Sequence, residues 1–168
     1  LAAAAAHDPS KAAIIQAGVR TSYATLDAAA DRFADALVER VAFANGERCV
    51  LFLENRVETA VGIFGTLRAG GILSVVNPTT KTDKLAFVLN NCEASVLFTQ
   101  ASLAGVALAA AAQAPSIRRV VVVDDTATAL PAAFSPGASR CSSAMESEPP
   151  ETASPTPAAN NTSALCQP

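Results

Sequence analysis

The side chains able to do chemistry are few and scattered. His7 is the single histidine and stands alone near a chain end, so a surface role fits it better than a general base. Cys49, Cys92, Cys141 and Cys166 lie far apart with no C-x-x-C pair, and indicate neither a zinc site nor a short disulfide framework. They read as free thiols. Asp124-Asp125 closes an apolar run, the place where ligands collect in a parallel sheet, but a third ligand is lacking and a solvated loop is the better reading. Lys81, Lys84 and Arg68 could form a small anion patch, although charges at helix ends account for them equally well.

Glycines invite a phosphate-binding reading. A phosphate cradle needs them after a strand and before a helix, where free N–H groups point at the anion. Gly62, Gly65, Gly70 and Gly71 instead fall inside or at the end of an expected helix. The chain contains no G-x-x-x-x-G-K-[ST], no G-x-S-x-G and no G-x-G-x-x-G. These glycines are therefore scaffold: Gly62 and Gly65 permit close approach to a sheet, and Gly70-Gly71 ends a helix.

The elements that must hold these residues follow from periodicity. Ala12 to Gln16 and Val19 to Thr21 form a hairpin about Ala17-Gly18, and Ser22 caps a helix from Tyr23 to about Val41. Leu26, Ala30, Phe33, Leu37 and Val41 share one face of it, with Asp27, Asp31, Asp35 and Glu39 towards water. Asn45-Gly46 turns the chain into the buried strand Cys49 to Leu53. Asn55 and Glu58 have the spacing of a capping box, opening a helix to Ala69 whose buried stripe is Ala60, Val61, Phe64 and Leu67. The strand Ile72 to Val76 comes next, then a helix capped by Thr80 with Asp83, carrying Leu85, Val88, Leu89 and Cys92 inward. A strand at Ser95 to Phe98, an alanine-rich helix from Ser102 to Gln113 and a strand at Val120 to Val123 complete the pattern. Alternation of strand and helix predicts an α/β fold with a largely parallel sheet and helices on both faces.

Composition bounds the function. Twelve Lys plus Arg against fifteen Asp plus Glu, without a basic stripe or an aromatic platform, argue against nucleic acid. The uncharged stretch from Ala94 to Ile117 has bilayer length, but Thr99, Gln100, Ser102, Gln113 and Pro115 split it into strand and helix, so no transmembrane segment is expected. Residues 1–10 read as a frayed start without a secretory signal, which points to reducing cytoplasm. Residues 11–130 hold the folded part. Residues 131–168 carry seven of the ten prolines with much Ser, Ala and Thr, and read as a disordered tail in which the sequon Asn160-Asn161-Thr162 is a chance match.

The order of segments resembles the amino-terminal portion of an AMP-forming acyl-CoA or acyl-acid synthetase of the adenylate-forming superfamily. Ser22-Tyr23-Ala24-Thr25-Leu26 is similar to that family's T-Y-x-E-L helix start, and Asn45-Gly46-Glu47-Arg48-Cys49 to its G-D-R-V turn. Leu53-Glu54-Asn55-Arg56-Val57-Glu58 resembles its L-x-N-s-x-E step. Leu67-Arg68-Ala69-Gly70-Gly71-Ile72 followed by Val76-Asn77-Pro78-Thr79 is the most specific match, to the L-K-A-G-G turn, strand and N-P-T loop. The N-P-T form, with Asp83 to Asn90 after it, favours acyl-acid or acyl-CoA ligases over amino-acid-activating domains.

Carried over by this resemblance, Ser22, Tyr23, Leu26, Asn55, Ala69, Gly70, Gly71, Asn77 and Pro78 are scaffold positions; no catalytic, cofactor-binding or metal residue is assigned. The resemblance implies that the complete enzyme joins a carboxylic acid to ATP with magnesium, releases pyrophosphate and usually passes the acyl group to coenzyme A. The family's phosphate loop ending in P-K-G, expected soon after Val123, is absent from this sequence. The first expectation is thus an inactive piece of an acyl-activating ligase, through truncation, a frameshift near Phe134 or a gene-model error, binding no cofactor itself and having the missing remainder as its partner. The alternatives are a non-catalytic interaction or decoy module, and a self-contained α/β domain binding a small ligand at its strand ends.

Overall fold

A computed structural model describes residues 1–124; the expected tail, Asp125, Cys141, Cys166 and the sequon lie outside the described residues. The elements are α1 (Ala2–His7), β1 (Ala12–Gln16), β2 (Val19–Ser22), α2 (Tyr23–Val41), β3 (Arg48–Phe52), α3 (Val57–Arg68), β4 (Ile72–Val75), α4 (Thr82–Asn91), β5 (Val96–Gln100), a 3-10 turn (Ala101–Leu103), α5 (Ala104–Ala111) and β6 (Arg119–Val123).

The hairpin forms about Ala17 and Gly18, whose φ values of 48° and 81° match the twist of the paired strands β1 and β2; Gly18 takes this conformation without steric cost. Ser22 then caps α2, its Oγ accepting from the Thr25 amide at 3.2 Å. Leu26, Ala30, Phe33 and Leu37 are buried along one face of α2, as the spacing predicts. Asp27 and Asp31 do not simply face water, because the Arg68 guanidinium of α3 pairs with both.

Four parallel strands stand in the order β4-β3-β5-β6. Side chains alternate across this sheet. Cys49, Leu51, Val96 and Phe98 pack with Leu26, Phe33, Leu37 and Val61 of α2 and α3. Val50, Phe52 and Leu97 pack with Leu85, Leu89, Ala107 and Ala110 of α4 and α5 on the other face. The expected parallel α/β sheet with helices on both faces is what forms.

Several local expectations are corrected. The first residues are not frayed: Ala2–His7 is helical and Leu1 packs against the core. The Asn55–Glu58 capping box does not form. Arg56 is the N-cap of α3 and makes no side-chain cap bond, while Glu58 turns inward to Arg56. Thr80 and Asp83 do not cap α4, which starts at Thr82 after Lys81. Asn77 organises the loop instead, its Oδ1 accepting from the Thr79 amide at 2.9 Å and the Thr79 hydroxyl at 2.8 Å.

The buried stripe of α3 is rotated from the expected one: Glu58, Thr59, Val61, Gly62, Gly65 and Thr66 face inward, and Leu67 is 54% exposed. The cause is the small residues. A Cβ on Gly62 would stand 2.8 Å from the Phe98 ring, and one on Gly65 2.7 Å from Phe33 and 2.9 Å from the Ala30 carbonyl. Only glycine lets the helix lie that close to β5 and α2, so the glycine side outcompetes the larger apolar side for the interior. At the end of α3 the chain reverses through Gly70 at φ +75°, the left-handed conformation expected of a helix-terminating glycine.

Candidate functional site

In chain order the four sheet strands occupy positions 2-1-3-4, so the order reverses between β3 and β5. Ligands of open α/β sheets bind outside the carboxyl ends of the strands at such a reversal. Four segments of this chain converge there: Leu53 to Asn55 after β3, Asn77 to Thr79 after β4, Gln100 to Ser102 at the end of β5, and Asp124 after β6.

Gln100 bridges the reversal. It is buried at 2% exposure, its Oε1 accepts from the Glu54 amide at 2.9 Å, and its Nε2 donates to Ser102 Oγ at 2.8 Å. Beside it the Thr99 hydroxyl donates to the Phe52 carbonyl at 2.8 Å, and the Thr59 hydroxyl to the Glu54 carbonyl at 2.6 Å. Backbone groups that strand ends would otherwise leave open are thereby satisfied.

Next to this bridge lies a nearly buried ion pair. Arg56 and Glu58 have side chains 8% and 4% exposed, joined through Nε at 2.8 Å and a second nitrogen at 3.3 Å. The two-point contact is the arrangement that best offsets desolvation of both charges. Arg56 also donates to the Asp124 carbonyl at 3.2 Å, tying the β3–α3 step to the carboxyl end of β6. On the far side Gln16 accepts from the Val57 amide at 2.8 Å, which docks the hairpin onto the start of α3. Between hairpin and helix runs a groove of about 350 Å³, with Ile14, Ile15, Asn55, Arg56, Ala60 and Ile63 among its lining.

The positions singled out in the sequence divide between the two ends of the sheet. Asn55, Asn77 and Pro78 stand at the carboxyl end, whereas Ala69, Gly70 and Gly71 close α3 at the opposite end. Ser22, Tyr23 and Leu26 begin α2, with Leu26 in the core. The anion patch does not assemble: Arg68 sits at the end of α3, bound to Asp27 and Asp31, while Lys81 and Lys84 sit at the start of α4. His7 is the exposed last residue of α1. Cys49 is buried between β3 and α3, where desolvation pushes its thiol up to about 12, against a smaller opposing effect of Thr66. Among the described residues no group of three His, Cys, Asp or Glu could hold a metal ion. No helix among them is long and apolar enough to cross a membrane.

Sequence reasoning missed Gln100, Arg56 and Gln16 as the residues that fasten this end. A glutamine following Val96, Leu97 and Phe98 in the strand Val96–Gln100 was the available signal, because such a side chain, once buried, needs partners.

A doubly wound α/β sheet with its polar residues fastened around one strand reversal defines the class of fold. The family model for AMP-binding enzymes matches residues 1–166, and the chain belongs to that family. The medium/long-chain-fatty-acid–CoA/3-oxocholest-4-en-26-oate–CoA ligase of Mycolicibacterium smegmatis is 26% identical over 117 residues, covering 70% of this chain and 21% of the ligase. Bacitracin synthase 1 of Bacillus licheniformis is 31% identical over 96 residues, 57% of this chain and 2% of the synthase. Among solved structures, the Mycobacterium tuberculosis fatty acyl CoA synthetase superposes with a TM-score of 0.67 at 26% identity, covering 73% of this chain and 25% of the other. The chain thus spans no more than about a fifth of the length of these two curated relatives.

Proposed function

We propose that this chain is the opening portion of an acyl-activating ligase, of the acyl-acid or acyl-CoA kind, and that alone it is scaffold without catalysis. The complete reaction is attack of a carboxylate oxygen on the α-phosphorus of ATP, loss of pyrophosphate, and usually transfer of the acyl group from AMP to the sulfur of coenzyme A. The observation that carries the reading is the state of the sheet's carboxyl end. The Glu54 amide is given to Gln100, the Thr99 hydroxyl to the Phe52 carbonyl, the Thr59 hydroxyl to the Glu54 carbonyl, and Arg56 to Glu58. Engaged in this way, they fit neither a triphosphate nor magnesium. Such chemistry needs positioned cations and donors, which on this reading come from the remainder of a synthetase, the chain's natural partner. The loop Asn77-Pro78-Thr79, fastened by the Asn77 side chain, supports the acyl-ligase branch, and the setting proposed is the cytoplasm.

A second reading, a non-catalytic interaction module, is favoured by the edge of β4, which no other strand of the described residues covers and where Ile72 and Val75 are 51% and 55% exposed. ATP–pyrophosphate exchange by the purified chain, with fatty and aromatic acids as substrates, tests the first. No exchange above the protein-free rate is expected. Acid-dependent exchange would overturn the claim that the chain is inactive alone.

A further inference from the structure

We propose that the open edge of β4 pairs with the same edge of a second copy, antiparallel about a two-fold axis through Ser74, so that two four-stranded sheets become one. The backbone sets the geometry. Ile72 donates to the Glu47 carbonyl and Val76 to the Leu51 carbonyl, so these residues hydrogen-bond inward to β3. By the alternation of a strand, Leu73 and Val75 direct their N–H and C=O groups outward, where no strand of the described residues stands. With Ser74 on the axis, Leu73 of one copy faces Val75 of the other, and each such pair exchanges two hydrogen bonds. All four outward groups of each edge are then satisfied.

The side chains agree with this register. Ile72 faces Val76 and Leu73 faces Val75, so apolar residues meet on both faces of the sheet and only Ser74 meets itself. Moving the axis to Leu73 would set Val75 against Gly71, whose amide is already given to the Thr66 carbonyl. Moving it to Val75 would set Leu73 against Asn77, next to Pro78. Ile72 to Val76 also holds no charge and no proline, the residues with which open edges usually prevent pairing. A two-fold contact uses one patch twice and closes the assembly at a dimer.

Sedimentation equilibrium of the full chain should give twice the 17.0 kDa of one copy. Ser74→Lys and Ser74→Glu each place like charges opposite one another at the axis, and each alone should give monomers with an unchanged circular dichroism spectrum. Mixed in equal amounts, the two variants should recover the dimer as a lysine–glutamate heterodimer, a rescue that misfolding could not produce. In the wild type, hydrogen exchange at the Leu73 and Val75 amides should slow as concentration rises. A wild-type monomer at all concentrations, assembly beyond two copies, a dimer indifferent to Ser74→Lys, or failure of the two variants to recombine would each overturn the proposal. So would protection of Leu73 and Val75 that appears only on adding the Mycolicibacterium smegmatis ligase lacking its matching segment, which would give the edge to a synthetase partner.

Discussion

Replacing Gly65 by alanine sets two effects of opposite sign against each other. Alanine is the better helix former, by about 0.8–1.0 kcal/mol in a helix interior. Against this, the new methyl would stand 2.7 Å from the Phe33 ring and 2.9 Å from the Ala30 carbonyl oxygen. Phe33 is 1% exposed and its ring lies 4.8 Å from that of Phe98, so it has nowhere to rotate without disturbing the core. The carbonyl belongs to the backbone of α2 and moves only with the helix. Overpacking of this kind costs about 1–3 kcal/mol, and a backbone contact places it at the upper end, for a net loss of about 1–2 kcal/mol. Urea unfolding followed by circular dichroism measures this, the midpoint falling by about 0.5–1 M for a slope near 2 kcal/mol/M. Gly105→Ala in α5 is the control, since nothing lies within 4 Å of its Cβ position and a gain of about 0.5–1 kcal/mol is expected. A Gly65→Ala protein as stable as the wild type would refute the close approach of α3 to α2.

Three further outcomes are expected. Arg56→Met leaves the Glu58 carboxylate buried without its partner and should cost about 3–5 kcal/mol, most of it recovered by adding Glu58→Leu; denaturant midpoints of the two variants decide this. Gln100→Leu leaves the Glu54 amide without its acceptor, for a loss of about 1–3 kcal/mol in the same assay. Cys49 ionises near the ordinary 9.0 when unfolded but at about 12 when folded. Stability is therefore fully present below pH 9 and falls between pH 9 and 12, by about 1.4 kcal/mol for each pH unit from this group. The difference between wild type and Cys49→Ala, measured against pH, isolates that slope, and a flat difference would refute the burial of the thiol.

The elements were legible where a single physical signal dominated. The stripe of α2 is marked by Leu26, Phe33 and Leu37 at helical spacing, and Gly18 offers the positive φ that a tight hairpin needs. Legibility is lost where two signals compete. In α3 the larger apolar side, Phe64 and Leu67, looked like the buried one, but close packing at Gly62 and Gly65 turned the helix so that Glu58 and Thr66 faced inward. Glu58 was then drawn to Arg56 rather than back to Asn55, because a nearly buried carboxylate gains more from a guanidinium than from a backbone amide. The carboxyl end of the sheet was the least legible part. Its bonds join Gln16 to Val57, Glu54 to Gln100 and Arg56 to Asp124, partners 41 to 68 residues apart that no local spacing reveals.

A graft shows whether these residues can serve as the opening scaffold of an acyl-activating ligase. Residues 11–124 of this chain would replace the matching segment of the Mycolicibacterium smegmatis ligase, and ATP–pyrophosphate exchange with a long-chain fatty acid would be measured. Fatty-acid-dependent exchange is expected from the chimera and none from the chain alone. A chimera that folds, binds ATP and still gives no exchange would contradict that role.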